Sequence, residues 1–382
     1  MEFDGANILE VVDFIIEHKP LAVSVSGGEP LLFFDKIKGY IKKLCLAGIF
    51  VTVYTNGTVI NEEMASFFAL NNIRVMISFP SSSEQEFSKI VNNKHTYKSV
   101  IAALDLLLKY KVNFQPNIVV TALNKDSLED TIEFLCDKYS VEKIFVSRAT
   151  RPSNADKDYD SIKLNHEQLN EIYDKCVTLS KKHNIKMASC GGGAICIYEN
   201  IESRKMFSKI CDFGEGGYVV TTSGDVRICS RDDKIYGNIF KDDFFKIRQN
   251  MNEWKNHETP KECKNCSYRK SCRGGCQVAK GEYGTEWKYL DCDAAPKKLK
   301  TKKAIPFINP LRRFTVQDVS VLEDASAYRI SVFLKYIYVE KKIAKILSEK
   351  KFIYLKYLWA HKLNVRKANF EISKLLRLEI IK

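Results

Sequence analysis

The sequence has no run of the roughly 20 consecutive apolar residues that a membrane-spanning helix requires; apolar stretches such as Ile101–Leu108 stop well short. Its first residues lack the basic-then-apolar order of a secretory signal. A cytoplasmic location is therefore expected, with its cysteines kept reduced rather than paired. No internal repeat recurs at a fixed period, which excludes a solenoid or a propeller. Histidine is scarce, with 6 in 382 residues, and none stands between Cys263 and Cys292.

What is present is an ordinary globular composition, 45% hydrophobic, in a chain long enough for one full-sized core and smaller domains beside it. The formal net charge of +13 is not spread evenly. Lys297–Lys382 carries 21 Lys/Arg against 7 Asp/Glu, whereas the remainder carries 39 against 40. The basic character belongs to the tail and says nothing about the partner of the main body.

Along the first half, β-rich runs alternate with amphipathic ones. The runs "LAVSVS", "FVTVYT", "NIRVMISF", "NFQPNIVV", "EKIFVSR" and "IKMAS" read as strands. Between them, "FDKIKGYIKKLCLAG", "TYKSVIAALDLLLKY", "DSLEDTIEFLCDKY" and "NHEQLNEIYDKCVTLSKKH" show helical spacing, as does "ANILEVVDFIIEH" ahead of the first strand. Strands that alternate with helices imply a parallel sheet, because parallel neighbours need crossover connections. A closed or partial β/α barrel fits this order.

Gly191–Gly193 break the rhythm, and a cysteine-rich region follows. "GYVVTTSGDVRIC" reads as a hairpin turning at "SGD", and "KDDFFKIRQNMNEW" as a helix. "APKKLKTKKAIP" is a charged linker. Beyond it, "SAYRISVFLKYIYVEKKIAKILSEKKFIYLKYLWAHKL" spaces its aromatic and aliphatic residues in three- and four-residue steps, which reads as helix.

"SVSGGEPLLF" ends the first strand. Gly27 and Gly28 let the backbone turn and approach a ligand, Pro30 fixes the next φ, and Glu29 adds a carboxylate at the C-terminal mouth, where barrels build their sites. A backbone cradle beside a carboxylate suits an ammonium group. "YTNG" and "ISFPS" end the next two strands and bring Asn56 and Ser78 to the same rim; turn chemistry alone would also account for "NG".

Of the 12 cysteines, Cys45, Cys136 and Cys176 stand singly in helical patterns and read as small buried apolar residues. The others, Cys190, Cys196, Cys211, Cys229, Cys263, Cys266, Cys272, Cys276 and Cys292, crowd the following stretch. Spacing alone leaves tetrahedral zinc and iron–sulfur chemistry both open. Number favours iron: seven of them with Cys190 or Cys196 as an eighth make two four-thiolate sets, the complement of two cubane clusters.

In its "GGEP" after a strand, its "TNG", its "GDVRIC" hairpin, its "YGNI" before a helix and its block from Cys263 to Cys276, the chain resembles the radical SAM enzymes with a C-terminal SPASM domain. The likeness covers about residues 1 to 295. It implies two auxiliary 4Fe-4S clusters, one held by Cys263, Cys266, Cys272 and Cys292. The other would be held by Cys211, Cys229, Cys276 and either Cys190 or Cys196. It also implies that Gly27, Gly28, Glu29 and Pro30, with Asn56 and Ser78, line the site of S-adenosylmethionine, whose amino group the "GGEP" turn contacts.

Two departures qualify the likeness. The family opens its barrel with a strand and a Cys-x3-Cys-x2-Cys loop that holds the catalytic cluster, and no such spacing occurs here. The expected fold is thus α/β: a partial (β/α)6 radical SAM barrel missing its first strand (1–189), a SPASM domain (190–296) and a basic, mostly helical extension (297–382). An N-terminally truncated chain without independent catalysis is the expectation, and a non-catalytic cluster module that recruits a peptide or partner enzyme is the alternative. Second, Ser230 follows Cys229 where sulfatase-maturing members carry an Asp, and "ISFPS" replaces their Asp-Gly. Members that mature ribosomally made peptides are the better match, so the partner expected is a peptide or protein substrate. The tail is read as a helical subdomain that could contact a leader peptide or partner protein; nucleic acid is not expected.

Overall fold

The computed structural model describes residues 7–149, 159–189, 194–207, 214, 216–252, 263, 272 and 274–276, together with the backbone of five strands between 313 and 354. The chain divides into two compact units, Met1–Leu299 and Lys300–Lys382.

In the first unit, helix α1 (Ile8–His18) precedes a regular alternation: β1 (Ala22–Val25), α2 (Phe34–Leu46), β2 (Phe50–Thr55), α3 (Glu62–Leu70), β3 (Arg74–Ser78), α4 (Glu84–Val91), α5 (Thr96–Lys109), β4 (Phe114–Val120), α6 (Leu128–Tyr139), β5 (Lys143–Arg148), α7 (Tyr159–Ile162), α8 (His166–Lys182) and β6 (Lys186–Ala188). All six strands expected from the sequence form. They pair in parallel in the order β1-β2-β3-β4-β5-β6. Strand order without a reversal, joined by crossovers of one hand, puts the helices on one face and makes the sheet curl, whereas a doubly wound sheet needs a switch point. The fold is the partial β/α barrel that the alternation implied.

Period-2 alternation sorts the strands. Val51, Val53, Val75, Ile77, Ile118, Val120, Ile144 and Val146 are buried under the helices, against Ile41, Phe68, Leu104, Leu107, Ile132, Leu135 and Val177. Their neighbours Thr52, Tyr54, Arg74, Gln115 and Asn117 are only half-buried and face the concave side. Local caps fix where helices begin. Asn61 accepts from the Met64 N–H, and Asn165 and Gln168 form a reciprocal capping box at the start of α8.

After β6, helix α9 (Ile201–Phe207) leads to a three-stranded antiparallel sheet, β7 (Val219–Val220), β8 (Asp225–Arg227) and β9 (Ile235–Asn238), and then to α10 (Phe244–Asn250). The expected hairpin is there, with β9 as a third strand. It has its own core of Val226, Ile228, Cys229, Tyr236, Ile247 and Met251. An aromatic joint ties it to α1: the Phe244 ring lies 5.1 Å from Phe14 and 4.8 Å from His18.

The second unit corrects the helical expectation where it is described. β10 (Arg313–Thr315) pairs with β14 (Phe352–Tyr354), and β11 (Ser320–Glu323), β12 (Tyr328–Val332) and β13 (Lys335–Val339) form an antiparallel meander. "YRISV" and "KYIYV" are short and rich in aromatic and β-branched residues. Their apolar spacing fits either period, and β propensity decides. The rest of the tail lies outside the described residues.

Candidate functional site

β1 ends at Val25, and the chain turns through Ser26, Gly27 and Gly28, all exposed, with φ of 118° at Gly27 and 51° at Gly28. Such φ values are costly for any residue with a Cβ. Glu29 and Pro30 are then buried, and Pro30 opens a 3-10 turn over Pro30–Phe33. The carboxylate of Glu29 is a knot. Its Oε1 accepts from the Leu31 N–H at 3.1 Å and the Thr55 hydroxyl at 2.7 Å, while Oε2 accepts from the Asn56 N–H at 2.7 Å. Thr55 Oγ1 in turn accepts from the Gly57 N–H at 3.0 Å.

This gives Glu29 a different first task from the one its residue type suggested. A carboxylate offers about four lone-pair sites, and three are taken by its own chain. Glu29 therefore braces the β1 turn against the end of β2, and the exposed backbone of Gly27 and Gly28 forms the open part of the cradle. Thr55, which the sequence reading passed over, is the buried relay in this brace; its place directly before Asn56 was the available signal.

Asn56 and Ser78 do share the C-terminal rim. Thr55 pairs with Ile77, so the residues that follow them stand side by side, and both are exposed. The row continues across the sheet through Asn117, Phe145 and Ala188, which pair in register with Ser78 and with one another. Asn56 Oδ1 accepts from the Thr58 N–H at 2.9 Å and the Thr58 hydroxyl at 2.7 Å, so its turn role is also real. Asn117 was missed. Polar residues at alternate places in "FQPNIVV" mark a strand with one uncovered face, and Asn117 Oδ1 lies 3.5 Å from the buried Ser147 hydroxyl.

Among the nine clustered cysteines, Cys196, Cys229, Cys263, Cys272 and Cys276 are described; Cys190, Cys211, Cys266 and Cys292 lie outside the described residues. Cys272 and Cys276 flank a tight turn, closed by the Gly275 N–H donating to the Cys272 carbonyl at 2.9 Å. This turn seats on the segment after β6: the Ile195 N–H donates to Cys272 Sγ at 3.3 Å. Cys272 and Cys196 both pack against the barrel core. Cys229, at the end of the hairpin, belongs to the smaller core. Arg231 links it to Cys276: its backbone N–H reaches Cys229 Sγ at 3.5 Å, and its Nη2 reaches Cys276 Sγ at 3.7 Å. N–H donors aimed at sulfur suit thiolate ligands of a metal centre. Among the described residues, no three potential ligands converge on one point.

The isolated cysteines behave differently. Cys176 is fully buried, and burial pushes its thiol up to about 12; Cys136 is pushed up to about 11, by burial first and then by Asp137 and Glu133. At pH 8 neither supplies appreciable thiolate. Iodoacetamide should leave Cys176 unlabelled in the native chain and label it after denaturation, as read by peptide mass spectrometry.

With this geometry in view, likeness to known proteins is informative. Residues 2–135 match the radical SAM superfamily. The chain is 24% identical over 283 residues to the cysteine-type anaerobic sulfatase-maturating enzyme of Clostridium novyi (strain NT), covering 66% of this chain and 71% of that protein. It is 24% identical over 286 residues to the mycofactocin maturase MftC of Mycobacterium ulcerans (strain Agy99), covering 71% and 74%. In fold it is similar to Streptococcus suis SuiB bound to precursor peptide SuiA, with a TM-score of 0.61 at 16% identity over 78% of this chain and 70% of that one. Among the described residues no helix is long and apolar enough to cross a membrane.

Proposed function

We propose, from the match of residues 2–135 to the radical SAM superfamily and from relatives that include maturases, that the chain is a radical SAM protein that serves the maturation of a ribosomally made peptide or protein and holds two auxiliary 4Fe-4S clusters. The supporting observation is the seating of the Cys272–Cys276 turn on Ala194–Ile195, a few residues past the last strand of the sheet whose rim carries the Glu29 brace. In this reading one compact unit, Met1–Leu299, holds both the cofactor cradle and the thiolate sets.

In this reading the backbone of Gly27 and Gly28 receives the amino group of S-adenosylmethionine, with Glu29 and Pro30 fixing the turn and Asn56 and Ser78 lining the rim. Bound there, S-adenosylmethionine supplies hydrogen-abstracting radical chemistry when it receives an electron. The half-buried polar row of the concave face, Thr52, Tyr54, Gln115 and Asn117, offers hydrogen bonds to a peptide backbone. Cys263, Cys266, Cys272 and Cys292 form one cluster set; Cys211, Cys229, Cys276 and Cys190 or Cys196 form the other. The basic stretch from Lys297 onward, with 21 Lys/Arg against 7 Asp/Glu, suits an acidic leader peptide or partner protein.

One observation favours a second reading, a cluster module that recruits a peptide or partner enzyme without catalysis of its own: no Cys-x3-Cys-x2-Cys occurs among the 12 cysteines. These 382 residues alone are accordingly expected not to cleave S-adenosylmethionine reductively. Anaerobic reconstitution followed by metal analysis tests the cluster assignment, with about eight irons per chain expected from two cubanes. Two zincs and no iron would end it. Incubation with S-adenosylmethionine and dithionite tests the second point; 5'-deoxyadenosine above a cluster-free control would refute it.

A further inference from the structure

Arg231 touches two of the proposed cluster ligands, and it does so from both of its ends. Its backbone N–H is 3.5 Å from Cys229 Sγ, and its guanidinium Nη2 is 3.7 Å from Cys276 Sγ. The two sulfurs come from distant parts of the chain, one from the end of the hairpin and one from the cysteine turn. Both sulfurs belong to buried residues, Cys229 at 8% and Cys276 at 7% exposure, and Arg231 is half-buried, so bulk water screens these contacts only in part. Cys272, four residues from Cys276 but seated on the barrel side, receives a neutral donor, the Ile195 N–H at 3.3 Å.

A charge and two hydrogen bonds on thiolates that hold a 4Fe-4S cluster act unequally on its two oxidation states. Reduction adds one electron, and so one negative charge, to the cluster and its thiolates. A fixed cation and N–H donors stabilise the more negative state, which raises the reduction potential. We infer that Arg231, through these two contacts, raises the reduction potential of the auxiliary cluster that Cys229 and Cys276 hold. This rests on the reading that both thiolate sets carry 4Fe-4S clusters.

The test is an anaerobic redox titration of the reconstituted full chain followed by electron paramagnetic resonance, alongside R231Q and R231K and with iron counted in each. R231Q should keep its iron, and one of the two reduction waves should fall by a factor of about ten in equilibrium constant, about 59 mV for a one-electron couple. The other wave should stay in place, and R231K, which keeps the charge, should recover part of the shift. Full iron with both waves unmoved would overturn the inference and leave the cluster reading intact. Loss of one cluster's iron from R231Q would overturn it too, making Arg231 a folding element of the site. An unsubstituted chain that takes up no iron would remove the cluster reading itself, and this inference with it.

Discussion

Replacing Glu29 with alanine should destabilise the barrel by about 3 kcal/mol and abolish the proposed S-adenosylmethionine binding, because the substitution strands three donors at once. The Leu31 N–H, the Asn56 N–H and the Thr55 hydroxyl all point at its carboxylate. Hydrogen bonds to a charged acceptor contribute about 1.5–3 kcal/mol each, and a buried donor left unmade costs about 1–3 kcal/mol; partial repair by water brings the sum down. Glutamine is no safe replacement. A carboxylate only accepts, whereas an amide nitrogen in the Oε2 place would face the Asn56 N–H donor to donor, and in the Oε1 place it would face the Leu31 N–H. E29Q should therefore lose about 2 kcal/mol. Thermal unfolding and equilibrium binding of S-adenosylmethionine read the two effects separately. If E29Q unfolds like the parent chain and binds as well, the brace is not what holds the Gly27–Gly28 cradle.

The brace also marks where reading from sequence reached its limit. "GGEP" and "TNG" were each legible as turns at strand ends, because glycine, proline and asparagine advertise their backbone preferences locally. Their mutual dependence was not, since a hydrogen bond between residues 26 apart leaves no spacing signal. The same contrast runs through the fold. Strands β2, β4 and β5 were legible because their buried face repeats every second residue, β1, β3 and β6 as short β-rich runs between helices, and α2, α5, α6 and α8 because their buried face repeats at helical spacing. The shorter α3, α4 and α9 passed unnoticed: fewer than three turns give periodicity little to repeat. In the tail, "YRISV" and "KYIYV" satisfied a helical reading of apolar spacing while forming strands. Density of β-branched and aromatic residues was the better guide there.

For the cysteines, number and spacing suggested a metal site. The likeness to a known family supplied a division into two sets that spacing could not. The described cysteines have different surroundings: Cys272 leans on the barrel core, Cys229 belongs to the small core, and Cys276 meets Arg231. Arg231 itself was invisible in "CSRDD", because an arginine in a charged loop usually reads as solvated.

The second large effect is expected at Gly275, between the two sets. Its φ is 97°, and a Cβ added there would lie 2.7 Å from the Ala194 backbone nitrogen and 3.1 Å from its Cα. A flexible side-chain tip could move aside, but these are main-chain atoms of the segment on which the cysteine turn rests. Gly275→Ala must lift the turn. The Ile195 N–H to Cys272 Sγ bond would break, and Cys276 would be drawn from Arg231. Because Cys272 and Cys276 serve different clusters in the proposed assignment, one methyl group should disturb both. Reconstituted G275A is expected to carry about four irons or fewer in place of about eight, and to lose about 2–3 kcal/mol through strain and overpacking. Gly39 supplies the control: it lies within α2, and nothing stands within 4 Å of a Cβ built there. Gly39→Ala should keep full iron and gain about 0.5–1 kcal/mol from helix propensity. Iron counts and the charge-transfer absorbance of the clusters measure the outcome. Full iron with an unchanged spectrum in G275A would mean that the turn is not seated on Ala194, and that the two thiolate sets do not depend on this contact.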